Sequence, residues 1–484
     1  MTDHTLSSGK GAVGLEPEEE SGGHGVARIA IVAALGGFLF GYDSSVINGA
    51  VSAIQNYFHV AAGPLGFAVA SALLGAALGA IFAGRIADRI GRLKVMRIAA
   101  LLFLIAAIGT GIAPDLAFLI ILRFIGGCGI GVASVIAPAY IAEVSPARIR
   151  GRLASLQQLA IVTGIFISLL IDYIFFNLAG HNANGTLWLG AEAWRWMFFA
   201  MLIPALLYGG LSLTIPESPR YLIAKQRIPE ARKIIARLTG ERNLEIRIDK
   251  IRESVAREKP PAWRDLRGSA LGLLPIVWIG LFLSIFQQFV GINVIFYYSN
   301  VLWHAVGFSS SASFLFTVIS AIINIATTII AIASIDKIGR KPLLLIGSAG
   351  MFVTLGTMAA IFGTAKVVNG TPSLGPVAGP IALVAANLFV VSFGMSWGPC
   401  VWVLLGEMFP NRIRAAALGL AAAGQWVANW VITVTFPTLK DISLGLAYGI
   451  YATCALLSLL FVMRWVKETK GKQLEDMTTE MGSA

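Results

Sequence analysis

Two charged side chains interrupt long apolar stretches in the first half of the sequence, Asp43 and Arg123. A charge inside such a stretch is costly unless it is paired, and it often marks a functional site. An arginine beside a carboxylate favours the ionised form, whereas burial or loss of the arginine favours the protonated form. The two residues are therefore predicted to pair, and to bind and release a proton. The alternative is a static ion pair that only joins two helices.

Uncharged amides form a second set of polar side chains within apolar stretches: Gln158, Gln287, Gln288, Asn293, Asn324 and Gln425. An amide both donates and accepts hydrogen bonds, which a neutral, hydroxyl-rich solute requires when it leaves water. Gly291 lies between the amides of one stretch and is predicted to break a helix there, which opens the backbone towards a cavity. Taken singly, each amide has an alternative use as a hydrogen bond between helices.

The elements that carry these residues are predicted to be membrane helices. The sequence has 56% hydrophobic and only 13% charged residues, whereas an ordinary soluble domain has about 25% charged residues. Apolar runs long enough to cross a bilayer, at ~20 residues each, occur along the whole chain. The twelve predicted spans are 27–49, 65–84, 95–113, 116–139, 153–173, 195–214, 271–299, 312–335, 342–363, 380–406, 415–436 and 444–465.

Basic residues are unevenly distributed between the loops. Clusters of Arg and Lys follow the second, fourth and eighth spans. Four other loops have only two Lys or Arg residues in total, Lys366 and Lys440. These loops are 50–64, 300–311, 364–379 and 437–443. The positive-inside rule therefore predicts that these four loops lie outside and that both termini are cytoplasmic. The net charge of +11 then needs no nucleic-acid partner, because the basic residues lie beside membrane spans and not on one soluble domain.

The only long polar stretch within the chain divides six spans from six. The predicted order is a disordered cytoplasmic tail (1–26), a six-helix bundle (27–216), a cytoplasmic helical linker (217–268), a second six-helix bundle (269–466) and a cytoplasmic tail (467–484). The segment 229–239 has the spacing of an amphipathic helix. The three cysteines all fall within predicted spans, so neither a disulfide framework nor a metal site is expected.

Two charged motifs recur in the two halves. Asp88-Arg89-Ile90-Gly91-Arg92 follows the second span, and Asp336-Lys337-Ile338-Gly339-Arg340 follows the eighth. Glu143, Arg148 and Arg150 follow the fourth span, and Glu407, Arg412 and Arg414 follow the tenth with the same spacing. Repeats in the same orientation are typical of transporters in which two bundles move about a central site. Ion pairs at these helix ends are predicted to act as gates. The alternative is that the charges only orient the helices.

These residues and several further motifs resemble the sugar porter family of the major facilitator superfamily, from about residue 28 to 472. The motifs are Gly41-Tyr42-Asp43, Arg123-Phe124-x-Gly126-Gly127, Pro216-Glu217-Ser218-Pro219-Arg220, Gln287-Gln288-x-x-Gly291-x-Asn293, Gly398-Pro399 with Trp402, Gln425-Trp426 and Glu468-Thr469-Lys470-Gly471. The resemblance implies an all-α membrane protein with twelve transmembrane helices in two six-helix bundles. The sequence departs from the family at Lys467, where proline is usual, and at Ile165, where some relatives carry glutamine.

The resemblance also implies a site. Its expected sugar ligands are Gln158, Gln287, Gln288, Asn293 and Gln425, with Asn324 as a further polar group. Phe40, Trp402 and Trp426 are the expected aromatic wall, and Gly398 leaves room for the sugar ring. Tyr297 and Tyr298 follow the predicted helix break and are expected to form an outer gate or to pack. Asp43 is the only acid expected deep in the first bundle, because Asp172 lies near an outer end, where it is expected to be solvated.

The function that the resemblance implies is import of a small neutral sugar. Proton-driven members of the family carry aspartate at the position of Asp43, whereas passive facilitators typically carry asparagine, which favours sugar–proton symport. The alternatives are a uniporter, a polyol or inositol transporter, and a sugar sensor. A membrane enzyme is disfavoured because the sequence has no His-Glu-x-x-His, Gly-x-Ser-x-Gly or Walker motif. The expected partners are a sugar, a proton and membrane lipid around a monomer in the plasma membrane, without a cofactor.

Overall fold

The computed structural model describes residues 21–145, 150–239, 244–257, 263–368, 371–410 and 413–469. Within these ranges twelve helical spans are long and apolar enough to cross a membrane, which confirms the predicted number. Their bounds are Gly25–Phe58, Ala62–Ile90, Arg92–Gly111, Leu116–Val144, Ser155–Leu178, Ala193–Leu211, Pro275–Ala305, Ser310–Ile335, Arg340–Gly363, Ala378–Met408, Ala416–Ile442 and Leu444–Trp465.

The individual helices divide some of these spans. They are α1 Ser21–Ser45, α2 Ile47–Phe58, α3 Ala62–Ile90, α4 Arg92–Gly111, α5 Leu116–Val144, α6 Arg150–Leu178, α7 Ala193–Phe199, α8 Leu202–Leu211, α9 Pro219–Ala224, α10 Ile228–Thr239, α11 Leu244–Arg257, α12 Pro275–Phe289, α13 Ile292–Ala305, α14 Ser310–Ile338, α15 Arg340–Gly363, α16 Ala378–Gly394, α17 Trp397–Met408, α18 Arg414–Ile442 and α19 Leu444–Trp465. Short 3₁₀ turns occupy Trp188–Gly190 and Trp263–Leu266, and a two-stranded antiparallel hairpin pairs β1 Lys366–Val368 with β2 Thr371–Ser373.

Several predicted loops are helical in the structure. Helix α2 continues to Phe58, α13 to Ala305 and α18 to Ile442, so the predicted loops 50–64, 300–311 and 437–443 were too long. The first helix begins at Ser21, within the tail expected at 1–26. Hydropathy placed the end of the first span too early because α2 is amphipathic. The buried face of α2, from Ile47 to Ile54, packs on neighbouring helices instead of lipid.

The seventh span breaks at Gly291, as the sequence predicted. Helix α12 ends at Phe289 and α13 begins at Ile292. Gly291 has a φ of 82°, which is a left-handed backbone conformation that residues other than glycine rarely adopt. The first, sixth and tenth spans are also divided, between α1 and α2, α7 and α8, and α16 and α17, and the sequence analysis did not predict these three breaks.

Glycines allow the first and fifth spans to cross closely. A Cβ atom on Gly41 of α1 would lie 2.0 Å from the carbonyl oxygen of Ile161, and one on Gly164 of α6 would lie 2.0 Å from that of Phe38. Small residues at such crossings let two membrane helices approach backbone to backbone. This contact fixes the part of α1 that carries Phe40 and Asp43.

The two halves meet at one end of the bundles. We call the end at which α9, α10 and α11 follow the sixth span the linker end, and the opposite end the far end. At the far end Asn48 of α2 donates to the carbonyl oxygen of Phe296 (2.9 Å) and to Ser299 Oγ (3.0 Å), and it accepts from the backbone of Asn300 (3.2 Å). Phe176 of α6 stacks on Phe314 of α14, with ring centroids 4.3 Å apart. These contacts join the first half to the second.

The linker forms a small separate cluster. Leu222 and Ile223 of α9, Ala231 and Ile235 of α10, and Ile248 of α11 are buried together. Helix α10 spans Ile228–Thr239, which confirms the amphipathic helix predicted at 229–239.

Candidate functional site

The helix break in the seventh span carries a chain of amides. Asn293 Nδ2 donates to Gln288 Oε1 (2.5 Å), and Gln288 Nε2 donates to Gln287 Oε1 (3.4 Å). Gln287 Nε2 in turn donates to the carbonyl oxygens of Trp397 (2.9 Å) and Gly398 (3.3 Å). The chain therefore connects the break in the seventh span to the break in the tenth. Gln287 and Gln288 are buried, and Asn293 at the end of the chain is partly exposed.

Aromatic rings lie at the same level. Phe40 of α1 and Trp426 of α18 have ring centroids 5.8 Å apart, so they form a contact between the two halves. Trp402 lies one turn after Gly398 on α17, and 43% of its surface is exposed. A Cβ atom on Gly398 would have atoms of Phe393 as its nearest neighbours, at 3.5 to 3.8 Å, which is ordinary van der Waals contact. A Cβ atom at position 398 would thus fill the gap between α17 and Phe393, next to the carbonyl oxygen that Gln287 contacts.

The other predicted ligands take different places. Gln158 of α6 is partly exposed, and the Oε1 atom of Gln425 is buried without a hydrogen-bond partner. Asn324 is 8% exposed, and its Oδ1 atom is 3.6 Å from where a Cβ on Gly394 would lie. Asn324 thus lies between the eighth and tenth spans, in the position of a contact between helices.

Asp43 and Arg123 form the predicted ion pair. Arg123 Nη1 donates to Asp43 Oδ1 (3.1 Å) and to the carbonyl oxygen of the same residue (2.8 Å). Both residues are only 2% exposed. Asp43 Oδ2 has no hydrogen-bond partner, and it lies beside Gly126, where a Cβ atom would approach it to 2.7 Å. One carboxylate oxygen is therefore paired and the other is free to take a proton.

Asp172 is a second buried acid, and the expectation that it is solvated was wrong. Its exposure is 0%, and its Oδ2 atom accepts a hydrogen bond from the backbone N–H of Gly49 (3.1 Å). The sequence placed Asp172 near the end of a predicted span that stopped at residue 173. The helix continues to Leu178, and α2, which sequence analysis treated as a loop after residue 49, covers the carboxyl group.

At the linker end of the first half, Glu143 pairs with Arg92, one of the predicted gating residues, whereas Arg148 lies outside the described residues. Glu143 accepts from Arg92 Nε (3.1 Å) and Nη2 (2.9 Å), and from the hydroxyl of Ser218. Asp88 pairs with the same arginine (2.9 Å). Glu217 accepts from the backbone N–H of Arg92 (3.0 Å) and so caps the start of α4. We call these residues the first clamp.

The second half repeats this arrangement. Glu407 accepts from Arg340 Nε (3.1 Å) and Nη2 (2.7 Å), and from Thr469 Oγ1 (2.5 Å). Glu468 accepts from the backbone N–H groups of Arg340 (3.1 Å) and Lys341 (3.0 Å) at the start of α15. These residues form the second clamp. Sequence analysis missed Glu217 and Glu468 as clamp residues, although the Pro-Glu-Ser and Glu-Thr motifs marked both.

The remaining gating candidates are placed as follows. Arg148 and Arg412, and the side chains of Arg150 and Asp336, lie outside the described residues. Arg414 Nε donates to the carbonyl oxygen of Phe409 (3.1 Å). Tyr298 donates to the carbonyl oxygen of Thr433 (2.9 Å). The hydroxyl of Tyr297 interacts with Asn429 of α18 and with Ser44 of α1, so Tyr297 bridges the halves one residue from Asp43.

Twelve membrane helices in two halves, with buried amides, a contact between aromatic rings of the two halves and a buried ion pair within the first half, define a secondary transporter. A family described as "Sugar (and other) transporter" matches residues 29–481. A glucose transport protein from Synechocystis sp. is 57% identical over 453 residues, which cover 93% of this chain and 97% of that protein. A D-xylose-proton symporter from Escherichia coli is 38% identical over 485 residues, covering 93% and 95% respectively.

Solved structures agree with this result. The proton:xylose symporter XylE bound to 6-bromo-6-deoxy-D-glucose is 37% identical, with a TM-score of 0.77 over 95% of this chain and 100% of that chain. A partially occluded inward open conformation of XylE from E. coli has a TM-score of 0.80, 37% identity and coverage of 93% and 100%. The chain belongs to the sugar porter family of the major facilitator superfamily. It is a transporter and not an enzyme.

Proposed function

We propose that this protein imports a small neutral sugar, a hexose or pentose, together with a proton. The observation that carries the proposal is the amide chain from Gln287, which contacts the backbone of Gly398, to Asn293, which is partly exposed at the other end. Amides match sugar hydroxyls as donors and acceptors, and aromatic faces cover the apolar C–H surface of the ring. The glucose and xylose specificities of the named relatives support this substrate class.

Asp43 is the residue that binds the coupled proton in this proposal. Its Oδ2 atom lacks a partner, and its Oδ1 atom is held by Arg123 through one nitrogen. A pair joined by one nitrogen is weaker than a bidentate pair, so a small movement of α1 against α5 changes the affinity for a proton. Tyr297 links this site to α13 and thus to the sugar-binding half. Protonation and sugar binding are therefore coupled through the position of α1.

Alternating access completes the mechanism. The far ends are joined through Asn48 and Phe176, which supports a conformation whose site is closed on the far side. The positive-inside rule supports a cytoplasmic linker end, with both termini on that side. We propose that the two clamps regulate closure of the linker end when the transporter faces outwards. We further propose that it works as a monomer in the plasma membrane.

Uptake into proteoliposomes tests the function. Labelled glucose, galactose, xylose and inositol are offered with and without an imposed proton gradient, acidic outside. The expected result is accumulation of one monosaccharide above its external concentration only when the gradient is present. Equilibration without accumulation would establish a uniporter, and transport of inositol alone would replace the sugar by a polyol. Binding of a sugar without any transport would establish a sensor.

A further inference from the structure

The buried carboxyl group of Asp172 has no part in the sugar site or in the Asp43–Arg123 pair. Its exposure is 0%. The Gly49 N–H contacts Oδ2, whereas Oδ1 has no hydrogen-bond partner. A Cβ atom at Gly49 would lie 2.6 Å from that of Asp172, so only glycine at position 49 lets α2 cover the carboxyl group this closely.

The elements packed around Asp172 offer no free cation among the described residues. Arg123 of α5 is engaged by Asp43. Arg195 of α7 is engaged by Glu192 and lies over the ring of Tyr57. Helix α14 has no ionisable side chain before Asp336. On the same helix as Asp172, the nearest ionisable group is Tyr173, which carries no positive charge.

Helix α1 contributes Tyr42, which is close enough to interact with Asp172. Its hydroxyl donates to the carbonyl oxygen of Met197 (3.2 Å), so it is engaged elsewhere. A carboxylate removed from water without a cation is costly, and such a group binds a proton instead.

The burial of Asp172 depends on the contact between the two halves. Asn48, the neighbour of Gly49, is held by the backbone of α13. Phe176 lies one turn from Asp172 on the same face of α6, and it stacks on Phe314 of the second half. When the far ends separate, Asn48 and Phe176 lose their contacts with the second half, and water gains access to the carboxyl group of Asp172.

We propose that Asp172 is a proton-binding site that responds to the acidity on the far side of the membrane. The carboxyl group is neutral while the far ends are joined and ionised when they are apart. Because only the joined state holds the proton, acid on the far side shifts the equilibrium towards that state. The proton is taken up from and returned to the same side. This site therefore regulates reorientation without adding a proton to the transport stoichiometry, and it does not depend on proton coupling through Asp43.

The distance between the far ends tests this proposal. Gln55 and Asp441 line one crevice there, from the first and second halves. Spin labels at Gln55→Cys and Asp441→Cys, in a chain without its three native cysteines, report that distance in detergent, where both ends experience the same pH. Every sample is prepared both with Asp43, which keeps Arg123 engaged, and as Asp43→Asn, in which the other buried acid cannot respond. The exposed acid Asp115, which caps α5, supplies the control Asp115→Asn.

Acidification should increase the short-distance population severalfold in the parent and in the Asp115→Asn control. With Asp172→Asn, the short distance should dominate at every pH. Infrared difference spectra of the parent should show a neutral carboxyl band that titrates together with the distance, which tests the site even if the substituted protein does not fold. Three results would each overturn the proposal. They are a spin-label distance in the parent that does not change with pH, the same pH response with Asp172→Asn, and the absence of the carboxyl band.

Discussion

The amides of the seventh span bond one another in a chain that ends at Asn293. A sugar hydroxyl at this end can both donate and accept. Asn293→Ala should therefore weaken sugar binding by about 1–3 kcal/mol, or roughly 5- to 150-fold in Kd. Titration calorimetry on the purified protein measures the loss. Asn177→Ala is the matched control, because Asn177 donates to its own helix at Tyr173. Equal affinity in both variants would remove Asn293 from the site.

The free oxygen of Asp43 leads to a second prediction at this scale. Asp43→Asn keeps the size of the side chain but cannot titrate, so uphill accumulation and sugar-induced proton uptake should both be lost. Sugar binding and counterflow exchange should survive, because the loaded carrier reorients without a net proton. Uphill accumulation and counterflow exchange are measured in the same vesicles, with Asp249→Asn in the exposed linker as the control. If Asp43→Asn still concentrates sugar, the coupling proton binds elsewhere.

Individual residues differ in how far the sequence revealed them. The pairing of Asp43 with Arg123 followed from the cost of a lone charge in an apolar span. The pairing of Glu143 with Arg92 did not, because the two residues are 51 positions apart and only the packing of α4 against α5 brings them together. The burial of Asp172 depends on α2 and on the second half, so local hydropathy carried no signal of it.

Among the elements, the break between α12 and α13 has the most direct consequence. Alanine at position 291 must adopt a φ of 82°, which costs about 1–2 kcal/mol, and its Cβ would lie 2.7 Å from Tyr451 Cδ2. Gly291→Ala should therefore lower the thermal unfolding temperature and weaken sugar binding together, because Gln288 and Asn293 lie on opposite sides of the break.

Gly356→Ala is the control for that substitution. Gly356 is inside α15 with open space around its Cβ position, and alanine is better than glycine in a helix by about 1 kcal/mol. The unfolding temperature of the Gly356→Ala protein should equal or exceed that of the unsubstituted protein. A Gly291→Ala protein with normal stability and normal affinity would show that the break does not position the amides.

At the scale of the whole molecule, Asn48 makes the densest set of polar contacts between the halves. Asn48→Ala should favour separation of the far ends by roughly 1–3 kcal/mol, since hydrogen bonds within membranes contribute about 0.6 kcal/mol each and several are lost. The rate at which a maleimide modifies Gln55→Cys should rise accordingly. Asn177→Ala serves again as the control. Equal modification rates would show that apolar packing alone joins the far ends.

The number of spans and the division into two repeated halves were predictable because hydropathy and charged motifs are local properties of a sequence. The extension of α2 beyond residue 49 was not, since the helices that bury it, α6 and α7 in its own half and α13 in the other, are distant in sequence. The contacts of Asn48 had no sequence signal for the same reason.

Each clamp is completed by residues that come directly after the sixth span of its own half: Glu217 and Ser218 in the first, Glu468 and Thr469 in the second. During synthesis, the first bundle can therefore finish folding before the ribosome has made the second. A gene divided between Arg257 and Trp263 should yield two polypeptides that insert separately and then restore uptake when they are co-expressed. The first fragment carrying Glu217→Ala should be degraded faster in the cell than its unsubstituted form, as pulse-chase labelling would reveal. Equal lifetimes would show that biosynthesis of the first bundle does not need its clamp.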